Sequence, residues 1–172
     1  MDWPGEAAHD YDGAMAGRKT AAKKPRVPTA QKKQWARLAR TIDQAFRRGA
    51  LAEAWDAAAD VIEEKLWPAG GYESAADFFE RHMSTDRAVG ARRVRLVKYA
   101  SLEDEQTYGA AVTDALVDYI EAKHGRIKGR LPIALDKIRI PVVRFGEEEL
   151  VTITDTTVAD IEAATKELTP KT

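Results

Sequence analysis

The sequence contains no cysteine and only three histidines among its 172 residues. Without cysteine, the chain can form no disulfide, no thiolate nucleophile and no zinc site that depends on a cysteine ligand. His9, His82 and His124 are far apart and have none of the short spacings that suit a metal site on a helix. We therefore expect neither a bound metal nor a cofactor.

Long apolar runs are missing as well. No stretch approaches the run of about 18 apolar residues that a membrane-spanning helix requires. The first residues, MDWPGEAAHDYDG, contain acids where a secretory signal has a basic segment and then an apolar one. The charged fraction of 32% and the mean hydropathy of -0.45 favour a soluble protein. We expect a cytoplasmic protein with no membrane partner.

Motifs that are typical of catalysis are also absent. The sequence contains no glycine loop that could hold a phosphate and no nucleophile-elbow pattern. Adjacent acids occur at positions 63–64, 103–105 and 147–149, where solvated helix faces or a hairpin loop explain them. We expect no catalytic residues and no enzyme activity.

Charge is abundant but unevenly distributed. The formal net charge is -1, yet residues 18–48 contain eleven lysines or arginines and a single acid, Asp43. This asymmetry indicates a polyanionic partner. Residues 1–29 contain few large apolar groups and predict a disordered basic arm behind an acidic head. Trp3 in that head could also dock on a protein partner or on a basic surface of the chain itself.

Apolar residues recur at helical spacing from position 31 onward and predict a mainly α fold. The first helix ends at Gly49, and a second one runs from about Leu51 to Leu66. The predicted core positions of the first helix are Trp35, Leu38, Ala39, Ile42 and Phe46. Ser74 and Ser101 begin further helices with capping-box spacing to the acid three residues on. A break is expected near residues 108–109, and the helical domain spans residues 30–125.

The last part of the chain, residues 126–172, predicts a linker, a β-hairpin and a terminal helix. Apolar residues alternate around Pro141, which suits an edge strand, and Thr157 with Asp160 caps the last helix. This segment is too small to hold a core alone. It must pack on the helices, form a wing against DNA, or pair with a second copy. We expect a homo-oligomer, most simply a homodimer.

Residues 78–100, FFERHMSTDRAVGARRVRLVKYA, predict a short aromatic helix, a stop at Ser84-Thr85-Asp86, and a longer cationic helix that Ser84 or Thr85 caps. This is the order of a helix-turn-helix, which we assign to residues 74–100. At about 100° per residue, four cations share one side of the longer helix, opposite an apolar side. The cations are Arg87, Arg92, Arg95 and Lys98. The apolar side contains Val89, Val94, Leu96, Val97 and Ala100.

Arg93 departs from this pattern because it falls in the middle of the apolar side. Its stem either passes the edge of the core or pairs with an acid such as Asp77 or Glu80. A shift of one residue in the packing would instead bury Ala88 and Ala91 and release Arg93. A basic helix face is also compatible with a merely solvated helix in a domain that contacts no nucleic acid.

The run GYESAADFFERHMSTDRAVGARRVRLVKYAS, after a helix ending in EEKLW, resembles the helix-turn-helix segment of small bacterial, plasmid and phage DNA-binding proteins. In that group a Gly-Tyr turn precedes a short aromatic helix and then a Ser-started helix with Arg and Ala. Two positions depart from the group: His82 stands where a turn glycine is common, and Val89-Gly90 replaces an aromatic-Arg pair. The resemblance covers residues 71–101 and implies DNA binding.

These observations predict a DNA-binding protein that acts as a transcriptional regulator or as a DNA-organising or partition factor. The longer helix would face the duplex, and the arm at residues 18–33 would hold phosphates. The predicted DNA-contacting residues are Thr85, Asp86, Arg87, Arg92, Arg93, Arg95, Lys98, Lys19, Lys23, Lys24 and Arg26. The alternative is a non-enzymatic helical adaptor that binds an acidic protein and oligomerises through its hairpin.

Overall fold

The computed structural model describes residues 26–131 and 134–168 of the chain. Within these residues it contains seven α-helices and one two-stranded antiparallel sheet. The helices are α1 Thr29–Arg48, α2 Leu51–Glu63, α3 Ala75–Arg81, α4 Arg87–Leu96, α5 Leu102–Tyr108, α6 Ala110–His124 and α7 Val158–Leu168. The strands are β1 Ile140–Arg144 and β2 Glu147–Val151. Short 3-10 turns occur at Trp67–Gly70, Leu135–Lys137 and Ile153–Asp155. The predicted mainly α fold with a hairpin and a final helix is confirmed.

Local capping groups explain several helix boundaries. The Ser101 Oγ atom accepts a hydrogen bond from the Asp104 N–H at 3.0 Å, and Asp104 Oδ2 accepts one from the Ser101 N–H at 2.7 Å. This reciprocal pair satisfies two N–H groups that have no partner within α5. Thr157 and Asp160 form the same arrangement before α7. Gly109 has φ of 85° between α5 and α6, so the break predicted there is confirmed.

The buried side chains form two clusters, and α4 lies between them. The N-terminal core contains Leu38, Ile42, Trp55, Val61, Leu66, Phe78 and Phe79. The C-terminal core contains Tyr99, Leu116, Tyr119, Ile120, Ile140, Ile153 and Ile161. Val94 and Val97 pack in the N-terminal core, whereas Leu96 packs in the C-terminal core. Helix α4 is therefore enclosed on two sides, which limits the surface it can offer to a ligand.

The hairpin covers the C-terminal core with one of its two faces. Ile140 and Val142 are buried there, and Ile140 pairs with Val151 across the sheet. Helix α7 packs beside β1. The segment after residue 125 thus shares its core with α6, because a two-stranded sheet and one helix cannot enclose a core of their own.

Three local predictions are wrong. The N-cap of α4 is Asp86, whose Oδ1 atom accepts a hydrogen bond from the Ala88 N–H at 2.7 Å, and neither Ser84 nor Thr85 fills that role. Val89 was expected on the apolar side of α4 but is exposed, because it is the Gly90 side of this helix that packs against Phe79. Phe46 is 36% exposed at the last turn of α1, where the N-terminal core no longer covers it.

Among the described residues, no helix combines the length and the apolar character that crossing a bilayer requires.

Candidate nucleic-acid interface

Two arginines of α4 are held by carboxylates of the next two helices. Arg92 donates from Nε to Asp114 Oδ2 at 2.8 Å and from Nη2 to Glu105 Oε1 at 2.7 Å. Arg93 pairs with the other oxygen of Glu105. Burial disfavours the charged form of Glu105, but the hydrogen bonds from the two arginines outweigh it and hold the pKa of Glu105 below its ordinary value. One carboxylate thus serves two guanidinium groups, which fixes Arg93 at the margin of the core.

The remaining cations of the predicted stripe are paired in the same way. Arg95 Nη2 donates to Glu121 Oε2 at 2.8 Å and to Asp118 Oδ1 at 2.5 Å. Lys98 Nζ lies 3.2 Å from Glu63 Oε2. Burial works against the charged form of Glu121, yet its hydrogen bonds, which include the one from Arg95, keep the pKa of Glu121 below its ordinary value. These side chains stabilise contacts between helices.

The prediction of a solvent-facing cationic stripe on α4 is therefore wrong for three of its four members. Arg92, Arg95 and Lys98 are engaged with carboxylates and only partly exposed. Arg87 is exposed and forms no ion pair within the described residues. A polyanion that approached α4 would have to displace carboxylates from these pairs, which opposes binding.

The other predicted contact residues have separate locations. Thr85 is half-buried in the turn before α4, and Asp86 is used as the helix cap. Arg26 is exposed and precedes the start of α1 by three residues. Lys19, Lys23 and Lys24 lie outside the described residues. The structure thus brings none of the arm residues together with the α4 cations within the described ranges.

An open cleft of about 640 Å³ borders the outward side of α4. Arg87 and Ala91 lie on one wall, and Phe79 contributes to the apolar part of the lining. Three further cations line this cleft together with one carboxylate partner of each: Arg92 with Asp114, Arg95 with Glu121, and Lys98 with Glu63. Because most of its charge is already neutralised, the cleft is a weak site for a polyanion.

Helix α1 carries the exposed cations that α4 lacks. Lys33, Arg37, Arg40 and Arg47 fall within roughly 80° of its circumference at 100° per residue. All four are exposed, and none forms an ion pair among the residues that the structure describes. The buried residues Leu38, Ile42 and Ala45 lie on the opposite side. We call these four cations the α1 cationic face.

The single acid of α1 does not neutralise this face. Asp43 Oδ1 lies 3.5 Å from His82 Nε2, and His82 Nδ1 lies 2.9 Å from the Tyr72 hydroxyl. Asp43 is thus directed toward the α3 end of the N-terminal core. The α1 cationic face remains positive over a length of about 21 Å, at 1.5 Å per residue.

Most of the α1 cationic face was not among the predicted contact residues, although its spacing is visible in the sequence. The sequence also contains a pattern that argues against α4 as a contact surface. Asp114, Asp118 and Glu121 recur at intervals of four and three residues on α6, which places them on one side of that helix. Arg92 and Arg95 have a similar interval, so the two helices carry complementary charge patterns. Comparing the helices pairwise would have indicated that these arginines have internal partners.

No protein-family model, curated protein or solved structure matches the chain.

Proposed function

We propose that this protein binds DNA through the phosphate backbone and acts as a DNA-organising factor, with the α1 cationic face as its contact surface. The observation that supports this proposal is the exposure of Lys33, Arg37, Arg40 and Arg47 on one side of one helix, where none forms an ion pair among the described residues. Arg37 interacts with the Asp60 carboxylate of α2 only through a longer-range electrostatic attraction. Lysine and arginine side chains contact phosphate oxygens in most protein–DNA interfaces. Such contacts supply affinity without reading bases.

The dimensions of the face suit a duplex. Successive phosphates of one strand follow each other every 3.4 Å or so along the axis, so a face of about 21 Å spans roughly six of them. Up to four of these phosphates can meet a cation. Arg26, just before α1, and the predicted arm residues Lys19, Lys23 and Lys24 would add further phosphate contacts.

A sequence-reading role for α4 has less support. Helices α3 and α4 have the order of a helix-turn-helix, but the cations that would enter a groove are held by Glu105, Asp114, Asp118 and Glu121. Direct readout needs side chains that are free to reach base edges. We therefore favour an organising role over sequence-specific regulation.

The proposal is tested by fluorescence anisotropy with a labelled duplex at several salt concentrations. The four contacts of the α1 cationic face predict that log K falls with log salt with a slope of at least about -3 to -4, and each further contact by Arg26 or the arm steepens this slope by about 0.9. In the variant Arg37→Ala/Arg40→Ala the slope becomes shallower by about 2, and the affinity at low salt falls roughly tenfold. Alanine is a good helix former, so α1 stays folded in this variant.

The matched control is Lys137→Ala/Lys166→Ala, which removes the same charge from exposed positions away from α1. Its affinity and salt slope should equal those of the wild type. An Arg92→Ala variant, measured where it is folded, should also bind normally. Equal losses in the control and in the α1 variant, or a loss confined to Arg92→Ala, would overturn the assignment of the interface to α1.

A further inference from the structure

The turn between β1 and β2 holds an aromatic residue in an unusual backbone conformation. Phe145 and Gly146 have φ values of 52° and 86°, as expected for a two-residue type I′ hairpin turn. Asn-Gly or Asp-Gly is the common sequence there, because other side chains strain the left-handed region. The Phe145 side chain is also fully exposed, at 108%. Since Phe145 helps neither the turn nor a core, its side chain points to a binding function.

Two further apolar side chains of the same hairpin are exposed. Val143 and Leu150 are each 66% exposed. Pro141 pairs with Leu150 across the sheet, and alternate residues share a face, so Val143 and Leu150 lie on the same outward side. We call Val143, Phe145 and Leu150 the hairpin patch. Exposed apolar groups that are contiguous mark interaction sites on soluble proteins.

The rim of the hairpin patch is acidic. Glu148 is exposed and forms no ion pair within the described part of the chain. Glu148 pairs directly with Val143 across the sheet and therefore borders the patch. Carboxylates at this position repel phosphates, which disfavours DNA as the occupant. The chemistry instead fits an apolar surface flanked by cations.

Symmetric pairing of two hairpins is disfavoured by the same residues. An antiparallel β2–β2 pair would bring the carboxylates at positions 147–149 of the two copies close to one another, and like charges across strands are destabilising. The edge of β1 contains Pro141, which has no N–H to donate, and α7 packs beside this strand. The partner surface must therefore differ from the hairpin itself.

The corner between α1 and α2 supplies the complementary chemistry. Phe46 and Leu51 are large apolar side chains that are 36% and 49% exposed on either side of this corner. Arg47 stands next to Phe46, is exposed and has no ion pair among the described residues. We call Phe46, Arg47 and Leu51 the corner patch. Beyond the hairpin, the remaining large exposed apolar side chains of the described residues are Val89 and Leu168, which are far apart in sequence.

We propose that the hairpin patch of one copy of this protein docks on the corner patch of a second copy. Phe145 would pack against Phe46 and Leu51, and Glu148 would meet Arg47 at the rim. Because the two surfaces differ, the contact is head-to-tail and leaves one free patch at each end of the assembly. Such a contact produces rings or open chains of copies, according to the rotation between neighbours.

Two variants disable one patch each and preserve the fold. Phe145→Asn removes the aromatic group and installs the residue that type I′ turns prefer, so the melting temperature stays equal or rises. Leu51→Asp places an acid in the corner patch, at the first residue of α2, where a negative charge is favourable to the helix. Circular dichroism verifies the fold of both variants.

Sedimentation velocity over a wide concentration range, without nucleic acid, provides the readout. The mean mass of the wild type should rise with concentration, while each variant alone stays monomeric. An equimolar mixture of the two variants should form a dimer and stop there, because each variant retains the patch that the other has lost. The control Val89→Asn removes an exposed apolar group elsewhere and should assemble like the wild type.

A wild type that remains monomeric at all concentrations overturns the proposal, as does a Phe145→Asn variant that assembles normally. A Leu51→Asp variant that still dimerises would indicate symmetric hairpin pairing instead, which also rejects it. Since no DNA is present, these results are independent of whether the α1 cationic face binds phosphates.

Discussion

An arginine that is exposed on an isolated helix becomes a structural residue when a neighbouring helix supplies a carboxylate. Arg95 illustrates this change. Burial alone would lower the pKa of Arg95, but its hydrogen bonds to Glu121 and Asp118 raise it, so the guanidinium remains charged. The charge is therefore used to join α4 to α6, and little of it is left for an external anion.

Glu105 should make the stability of the fold depend on pH. Its pKa is depressed in the folded protein, so its contribution is complete above the pKa of the unfolded chain, about 4.3, and is lost as the pH falls through the lower folded value. We expect Glu105→Gln to lower the free energy of unfolding at pH 7 by roughly 1–3 kcal/mol, because Arg92 and Arg93 lose a charged partner. Urea unfolding at a series of pH values measures this.

The difference between wild type and Glu105→Gln should shrink as the pH falls below about 4.3, because the Glu105 carboxylate of the unfolded chain then takes up a proton that the folded protein still resists. Glu148→Gln is the matched control, since Glu148 is exposed and has no ion pair within the described residues. Its unfolding free energy should follow that of the wild type at every pH. If the difference in unfolding free energy between wild type and Glu105→Gln stayed constant down to acid pH, the role of Glu105 would be steric and its charge would be irrelevant.

At the scale of elements, the contact between α3 and α4 decides which side of α4 faces the core. An ideal Cβ atom at Gly90 would lie 2.5 Å from Cγ of the buried Phe79 ring. Only glycine lets the two helices approach this closely. Val89 is consequently turned to solvent, and Arg93 reaches Glu105 from the margin of the core.

Gly90→Ala tests this account because helix propensity and packing predict opposite signs. Propensity alone favours alanine by roughly 1 kcal/mol. We expect the clash with Phe79 to prevail and the variant to lose about 1–3 kcal/mol in urea unfolding, since the ring cannot move without opening the core. Val89→Ala, one residue away and exposed, should change stability by less than about 0.5 kcal/mol. A Gly90→Ala variant that is more stable than the wild type would refute the close contact.

The elements themselves were largely predictable because their signals are local. Gly49 ends α1, Ser101 and Thr157 begin α5 and α7, and the hairpin lies around Pro141 as expected. The candidate site was less predictable, because it depends on contacts between distant segments. Asp114 and Glu121 follow their arginine partners by more than twenty residues, and helical periodicity alone does not show that α6 packs there.

At the scale of the whole molecule, α4 joins the two cores. The division expected near residue 125 follows a real change in composition, from helical periodicity to a basic linker. The cores nevertheless meet at α4, since Val94 and Val97 belong to one and Leu96 to the other. The ion pairs of α4 with α5 and α6 add polar contacts to this connection. The two halves should therefore unfold together.

This coupling can be measured because Trp35, Trp55 and Trp67 all report on the N-terminal core. We expect Leu96→Ala to cost about 2–5 kcal/mol, since Leu96 is fully buried in the C-terminal core. In a cooperative molecule, urea unfolding followed by tryptophan fluorescence and by circular dichroism shifts to the same lower midpoint. The control Val89→Ala leaves both midpoints unchanged. If fluorescence kept the wild-type midpoint while circular dichroism showed an earlier transition, the cores would be independent and α4 would not connect them energetically.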